Sequence, residues 1–376
     1  MLHTVVIAPD SFKGTIAAAS AADAIGRGWQ RVRPHDLVRL LPMADGGEGT
    51  VDAFATAVPG AERVPVTVTG PEGTQVEASW VLLPPTDDAP GGTGVVELAN
   101  TSGIELLGAP ARLRPLDAHT KGFGEAIAAA LSRGVSRLVL GIGSSSSTDG
   151  GTGMLAALGA RFTDAAGRPV ADGGRGLAAL VAADLSALPA LPPGGVTVLS
   201  DVTNPLLGRR GAAAVFGPQK GASPDDVAGL DTALSRLAGL DAFATTDPET
   251  PGAGAAGGTG FGLLAWGAEL VPGSAAVAEL VGLDAAVAEA SVVVTGEGSY
   301  DGQSAAGKVP AHVAAVARAV GAPVALVAGR IAADADVSGF AATASLTDLA
   351  GSGEAAMADA ARWLERAGAA LAGSLT

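Results

Sequence analysis

The sequence predicts an α/β protein of two domains: a discontinuous, Rossmann-like parallel-sheet domain built from both ends of the chain, and a mixed α/β domain inserted between them. Three observations lead there. At both ends, short runs of β-branched and aliphatic residues alternate with stretches of helical spacing. In the middle, three strand-like runs follow one another with turns but no helix between them, which requires antiparallel pairing. Gly-rich turns bearing acids or hydroxyls stand between a strand and the next helix, where open parallel sheets bind ligands.

In chain order, Thr4–Ala8 reads as a strand and Ala17–Trp29 as a helix of small and apolar residues. Leu37–Leu41 is a second strand and Gly49–Val58 a second helix. The meander follows as Val64–Thr69, Val76–Leu83 and Gly94–Leu98. Helix and strand resume at Gly122–Ser132 and Arg137–Ile142, with a short helix over Gly153–Gly159. Val196–Leu199 is a strand that runs into an acid, and Asp225–Leu240 a helix. Thr245–Gly260 is rich in Gly, Ala, Thr and Pro and reads as a loop. Ser291–Thr295 is a buried strand leading into a loop, Ala311–Val320 a helix, Val324–Ala328 and Ala341–Leu346 strands, and Glu354–Ala370 a closing helix. Residues 1–60 and 288–376 would then form the first domain and 61–287 the inserted one.

Composition narrows the function. The 376 residues are 48% hydrophobic and only 16% charged, enough to bury a core. A net charge of −15 disfavours a polyanion partner, and 8 Phe, 4 Trp and 1 Tyr are too few for a base-stacking surface, so no nucleic acid is expected. With no Cys there is no disulfide, zinc-thiolate or thiol chemistry. The opening MLHTVVIAPD lacks a basic segment and does not read as a signal peptide. The best apolar run, Val313–Gly329, is broken by Arg318 and Pro323. The expectation is a cytoplasmic protein with no membrane contact.

Five loops carry candidate chemistry. After the first strand come Asp10, Ser11 and Lys13; after the second, Asp45 and Glu48 within Ala44–Gly49. Such acids either point into a cleft or cap the helix that follows. Gly143–Gly151 holds five consecutive hydroxyls, with Ser144, Ser145, Ser146 and Asp149 as candidate anion contacts; a solvated turn is the plainer alternative. Asp201 suits Mg²⁺ or a general base, with Asn204 beside it and Gln219 and Lys220 in Phe216–Gly221. Gly302–Lys308 fits G-x-x-x-x-G-K, a phosphate cradle, but Val309 stands where the Mg²⁺-binding hydroxyl belongs. Glu297, Asp301 and Gln303 lie in the same stretch.

The lysines sharpen this. There are four, Lys13, Lys121, Lys220 and Lys308, and each adjoins a glycine. Chance would give that in below about 1% of such sequences, and glycine is what close backbone–ligand approach requires. Sparse lysines among loop acids point to Mg²⁺-assisted phosphoryl transfer. No H-E-x-x-H or G-x-S-x-G offers zinc or triad chemistry, and Gly296-Glu297-Gly298 matches a dinucleotide fingerprint only in part.

Taken together and in order, APDSFKGT (Ala8–Thr15), PMADGGEGT (Pro42–Thr50), TDGGTGM (Thr148–Met154), SDVTNPLLG (Ser200–Gly208), FGPQKGA (Phe216–Ala222), GAAGGTGFGL (Gly254–Leu263) and TGEGSYDGQSAAGK (Thr295–Lys308) resemble the bacterial glycerate kinase family that phosphorylates the 2-hydroxyl. The resemblance covers essentially the whole chain. It implies two α/β domains with an active-site cleft between them, ATP with Mg²⁺, and D-glycerate as acceptor. On that footing Lys13 and Lys308 neutralise phosphate charge, and Asp201 is base or metal ligand. Asp10, Asp45 and Glu48 orient metal or substrate, with Asp45 the second metal candidate. The loop Ser144–Asp149 contacts phosphate or carboxylate, and Gln219 and Lys220 contact substrate. A kinase of another small hydroxy acid or polyol, or a non-catalytic binder of a phosphorylated metabolite, would carry the same loops. Two departures stand out. The family's GGSATNDGG is here Gly143–Gly151 with Ser144 for the second Gly and Thr148 for the Asn. Ser299 follows GEG where the family usually has Arg, leaving Lys308 or Arg330 to supply that charge.

Overall fold

The computed structural model describes residues 3–108, 112–302 and 309–375. Among them the strands, in chain order, are β1 (Thr4–Pro9), β2 (Leu37–Leu40), β3 (Glu62–Thr69), β4 (Gln75–Leu83), β5 (Thr93–Glu97), β6 (Arg137–Gly141), β7 (Arg161–Thr163), β8 (Ala182–Asp184), β9 (Val196–Leu199), β10 (Glu269–Val271), β11 (Val292–Tyr300), β12 (Val324–Ile331) and β13 (Ala342–Ser345). The chain forms two compact units. Residues 1–45, 52–59 and 274–376 make the first, and 46–51 and 60–273 the second. The chain re-enters the first unit at Ser274, ahead of the expected position near 288, because two further helices, Gly273–Leu280 and Leu283–Ala288, precede β11.

The first unit holds a five-stranded sheet in the order β13-β12-β11-β1-β2, parallel throughout. Val5 to Pro9 and Val292 to Glu297 are buried without interruption, as central strands covered on both faces must be. β2 is the edge strand and alternates between exposed and half-buried residues. From β1 the chain proceeds to β2 on one side; from β11 it proceeds to β12 and β13 on the other. The carboxyl ends of β1 and β11 are therefore a topological switch point, the usual ligand position in such sheets. β11 runs through Tyr300, so Gly296–Ser299 is strand and not the loop the sequence suggests. Gly296 permits this, because a Cβ there would stand 2.2 Å from the Val327 carbonyl oxygen of β12.

The helices Ala18–Val32 and Ala360–Ser374 pack together with their backbones nearly touching. A Cβ on Gly28 would lie 1.9 Å from the Glu365 carbonyl oxygen, and one on Gly368 would lie 2.2 Å from that of Ile25. Arg33 fastens the far end, donating from Nε to the Ala372 carbonyl at 2.7 Å while its guanidinium lies over Trp29. The expected single closing helix is divided. Asp359 adopts φ −147°, ψ 60°, ends Gly353–Ala358 and caps Ala360–Ser374 through Oδ1, which accepts from Arg362 N at 3.3 Å.

The second unit holds a six-stranded sheet in the order β10-β9-β6-β5-β4-β3. β10, β9, β6 and β5 are parallel; β4 and β3 are antiparallel additions at one edge, as the meander predicts. These four strands point the same way, so the carboxyl ends of β5, β6, β9 and β10 all lie on one edge. Its core gathers Trp80, Phe123, Ile127, Leu138, Leu140, Leu234, Phe243 and Phe261. The segment read as a loop over Thr245–Gly260 instead enters the helix Ala255–Trp266. Its first turn contains three left-handed residues, Ala256, Gly257 and Gly258. Gly257 is required there: a Cβ would lie 2.0 Å from the Ser147 carbonyl oxygen.

Two glycines separate these packing effects. Gly28→Ala is expected to destabilise the protein by about 3 kcal/mol, since backbone cannot yield as a side chain does. Gly229→Ala, in the helix Pro224–Ala238 with open space around it, is expected to stabilise by about 0.5–1 kcal/mol. Urea denaturation of both variants checks the opposite signs.

Candidate functional site

At the switch point of the first unit, Phe12 is buried and pairs with Ile16 in both directions, N to O at 2.9 Å and 3.1 Å. That bridge forces 13–15 into a tight turn with Gly14 at φ 74°, and the turn leaves Lys13 exposed at its tip. Asp10 is half-buried; its Oδ1 accepts from Ser11 N at 2.6 Å, and its own N–H donates to the Gly296 carbonyl at 2.8 Å. Glu297 is buried in β11, and Asp301 is half-buried just beyond it. Burial and the Glu297 charge both push the Tyr300 hydroxyl pKa up. Ser299 accepts from Arg330 Nη2 at 3.3 Å, so an arginine from β12 does reach the position after GEG. Asp45 is half-buried in the loop that Met43 ties to Pro9 at 2.8 Å. Lys308 and Gln303 lie outside the described residues.

In the second unit, Gly46–Val51 lies along the strand ends. Gly46, at φ 95°, would place a Cβ 2.3 Å from the Leu199 carbonyl oxygen of β9, and its own carbonyl accepts from Gly143 N at 2.9 Å. Glu48 is exposed on this segment. Asp201 is exposed two residues after β9, with Oδ1 accepting from Gly273 N at 2.8 Å. Asn204 is half-buried and donates from Nδ2 to the Arg210 carbonyl at 2.8 Å, which closes its own loop. Gln219 is exposed.

The serine loop is mostly interior. Asp149 is fully buried and accepts from Thr120 N at 2.9 Å, Thr120 Oγ1 at 2.8 Å, Gly151 N at 3.1 Å and Gly153 N at 3.2 Å. It anchors the loop and the helix Thr152–Ala157, and it offers no surface to a ligand. Ser146 is likewise buried and donates to the Ser102 carbonyl at 2.7 Å. The two burials share one cause: a run of small polar residues at a strand end satisfies its neighbours' backbone before it meets solvent. Ser144 is half-buried and left-handed at φ 57°, which explains a preference for glycine at that position. Thr148 buries a hydroxyl that has no hydrogen-bond partner among the described residues.

Lys220, expected at the substrate, is 3% exposed. Its ammonium donates to the Ser147 carbonyl and, at 3.4 Å, to Ser145 Oγ. Burial lowers its pKa to about 8, with the Asp149 charge opposing that shift. One buried acid escaped the sequence reading. Glu97, 3% exposed at the end of β5, accepts from Val51 N at 2.9 Å and so holds the start of the helix Thr50–Ala57. Its signal was present: an acid closing an apolar strand, as at Asp10 and Asp201.

Fold and loops thus define a class, an α/β protein whose polar Gly-rich loops collect at the carboxyl edges of two sheets. Residues 5–376 match the Glycerate kinase family. The glycerate 2-kinase of Escherichia coli K12 is 43% identical over 338 residues, which is 89% of this chain and 87% of that one. The glycerate kinase of Bacillus subtilis 168 is 41% identical, covering 99% of this chain and 97% of that protein. A crystal structure of a Salmonella typhimurium LT2 protein assigned as glycerate kinase 2 superposes with a TM-score of 0.83 at 40% identity, covering 100% of this chain and 98% of the other. The chain belongs to the glycerate kinase family. Among the described residues no helix is long and apolar enough to cross a membrane.

The left-handed serine carries a measurable strain. Ser144→Gly is expected to raise unfolding stability by about 1 kcal/mol. Asp149→Asn, which leaves a buried donor facing donors, is expected to lower it by about 3 kcal/mol. Urea denaturation midpoints at constant m check both.

Proposed function

We propose that this chain transfers the γ-phosphoryl group of ATP to the 2-hydroxyl of D-glycerate, releasing 2-phosphoglycerate and ADP. The observation that supports this most is the reach of the family match, which runs through every strand-end loop from Asp10 to Asp301. Its place of action is proposed to be the cytoplasm, where ATP is supplied.

Such a reaction asks the protein chiefly for positioning and charge neutralisation. Mg²⁺ carried in with ATP would shield the phosphate charge during transfer. Among the described residues no three His, Cys, Asp or Glu side chains gather as a metal cage. Mg²⁺ keeps several waters and takes one or two carboxylates beside nucleotide phosphates, a demand that single loop acids can meet. Asp201 is the carboxylate we assign, either holding the ion or accepting the proton that leaves the acceptor hydroxyl. The Gly273 N–H braces one of its oxygens. Glu48, on the segment laid against β6 and β9, is assigned to orienting substrate hydroxyls. Ser144 and Gln219, neither of them fully buried, are assigned to the substrate's anionic groups. In the first unit the exposed Lys13 is assigned to phosphate charge. Lys308 shares that proposed role. The changed serine loop favours one second reading, a kinase of a related small hydroxy acid.

Incubation with ATP, Mg²⁺ and D-glycerate is expected to yield 2-phosphoglycerate, resolved from the 3-isomer by chromatography. Asp201→Asn keeps Oδ1 as the acceptor for Gly273, so its melting temperature should match the parent's. Its kcat is expected to fall by about 1,000-fold. Full turnover in that variant would remove Asp201 from the chemistry, and turnover with another hydroxy acid alone would select the second reading.

A further inference from the structure

Lys220 is the buried lysine among the described residues, and its ammonium faces oxygens of the serine loop. No carboxylate among the described residues forms an ion pair with it. Asp149, the acid that acts on it through space, has its oxygens taken by Thr120, Gly151 and Gly153. An ammonium buried on such terms costs stability that an apolar side chain of the same length would not. The backbone nonetheless holds it there firmly. Lys220 N donates to the Gly217 carbonyl at 2.9 Å, and Gly221 takes φ 91° so that its N–H can reach Pro218 O at 3.0 Å.

What the ammonium touches gives the reason. Ser145 Oγ, its partner at 3.4 Å, also accepts from Ser147 N at 3.3 Å and lies 3.4 Å from the Ala256 carbonyl of the left-handed turn. Three segments distant in sequence, 144–149, 217–221 and 254–258, therefore meet through one ammonium and one hydroxyl. Without that charge, the inner side of the loop would be a carbonyl and hydroxyls with too few donors.

We propose that Lys220 is a positioning residue for phosphoryl transfer: its ammonium clamps the inner side of the serine loop through Ser145 and Ser147 and so sets the placement of Ser144 toward the reacting group. This rests on the phosphoryl-transfer reading above. Lys220 acts through the loop and does not touch substrate.

Lys220→Met separates the clamp from a role in stability. The variant should fold and melt close to the parent's temperature, because relief of the buried charge offsets the donor withdrawn from the Ser147 carbonyl. Amide hydrogen exchange over 144–148 should accelerate by about 10-fold or more. The kcat should fall by about 100-fold, the scale of a displaced catalytic constellation, with KM for ATP within about threefold. Lys220→Ala provides the second variant, with propylammonium chloride in the assay expected to restore at least about a tenth of parental kcat. Unchanged exchange over 144–148, parental kcat in Lys220→Met, or a variant that fails to fold would each overturn the proposal. Absence of turnover in the parent would refute the kinase reading instead, and the exchange comparison would still decide whether Lys220 orders the loop.

Discussion

In a parallel sheet buried on both faces, every strand must point the same way and every return must be made elsewhere. All the ends that carry polar residues then fall on one edge. The first unit obeys this constraint throughout and the second along β10, β9, β6 and β5, and the rest of the structure follows from it. In the first, Asp10, Lys13 and Glu297 come from β1 and β11, neighbours in the sheet but nearly the whole chain apart. In the second, Glu97, the serine loop and Asp201 come from β5, β6 and β9. Close approach among these loops demands glycine or a hydrogen-bonded small residue at each crossing. Gly46 against Leu199 and Gly257 against Ser147 show how little room there is.

This dependence explains what could be read in the sequence. Apolar runs such as Val5–Ala8 and Val292–Thr295 declare buried strands, because no other element tolerates so many β-branched residues between turn signals. The meander of β3, β4 and β5 was legible from Gly70-Pro71-Glu72-Gly73 and the absence of helix. The helix Ala255–Trp266 was not, since its glycines are there for contact with the serine loop and mimic the composition of a free turn. β11 was cut short for the same reason: Gly296 and Gly298 look like punctuation until β12 is seen beside them. A strand-ending acid singled out Asp10 and Asp201, which do stand just past the ends of β1 and β9, and the same sign went unused at Glu97. Burial was the invisible quantity. Nothing in Ser144–Asp149 distinguishes the half-buried serine from the buried aspartate five residues on.

The lysines show that one local signature can serve opposite ends. Lys13 and Lys220 each adjoin a glycine, and in both the glycine takes a left-handed conformation that shapes a tight turn. At Lys13 the turn presents the ammonium to solvent; at Lys220 it drives the ammonium inward. Sequence spacing records the turn, and only the tertiary neighbours decide its direction.

The backbone contact of Gly28 with Glu365 and of Gly368 with Ile25 bears on how the chain is made. The helix Ala18–Val32 leaves the ribosome early, yet the surface it must cover arrives only with the final helix. β1 is in the same position, because its partner β11 follows the whole of the second unit. During synthesis residues 60–273 can complete their own sheet while the amino-terminal segment waits with Val5, Ile7, Ile25 and Trp29 uncovered. Those side chains stay open to a chaperone, or to misassociation between neighbouring chains on one message, until the strands and helix beyond the second unit have been made.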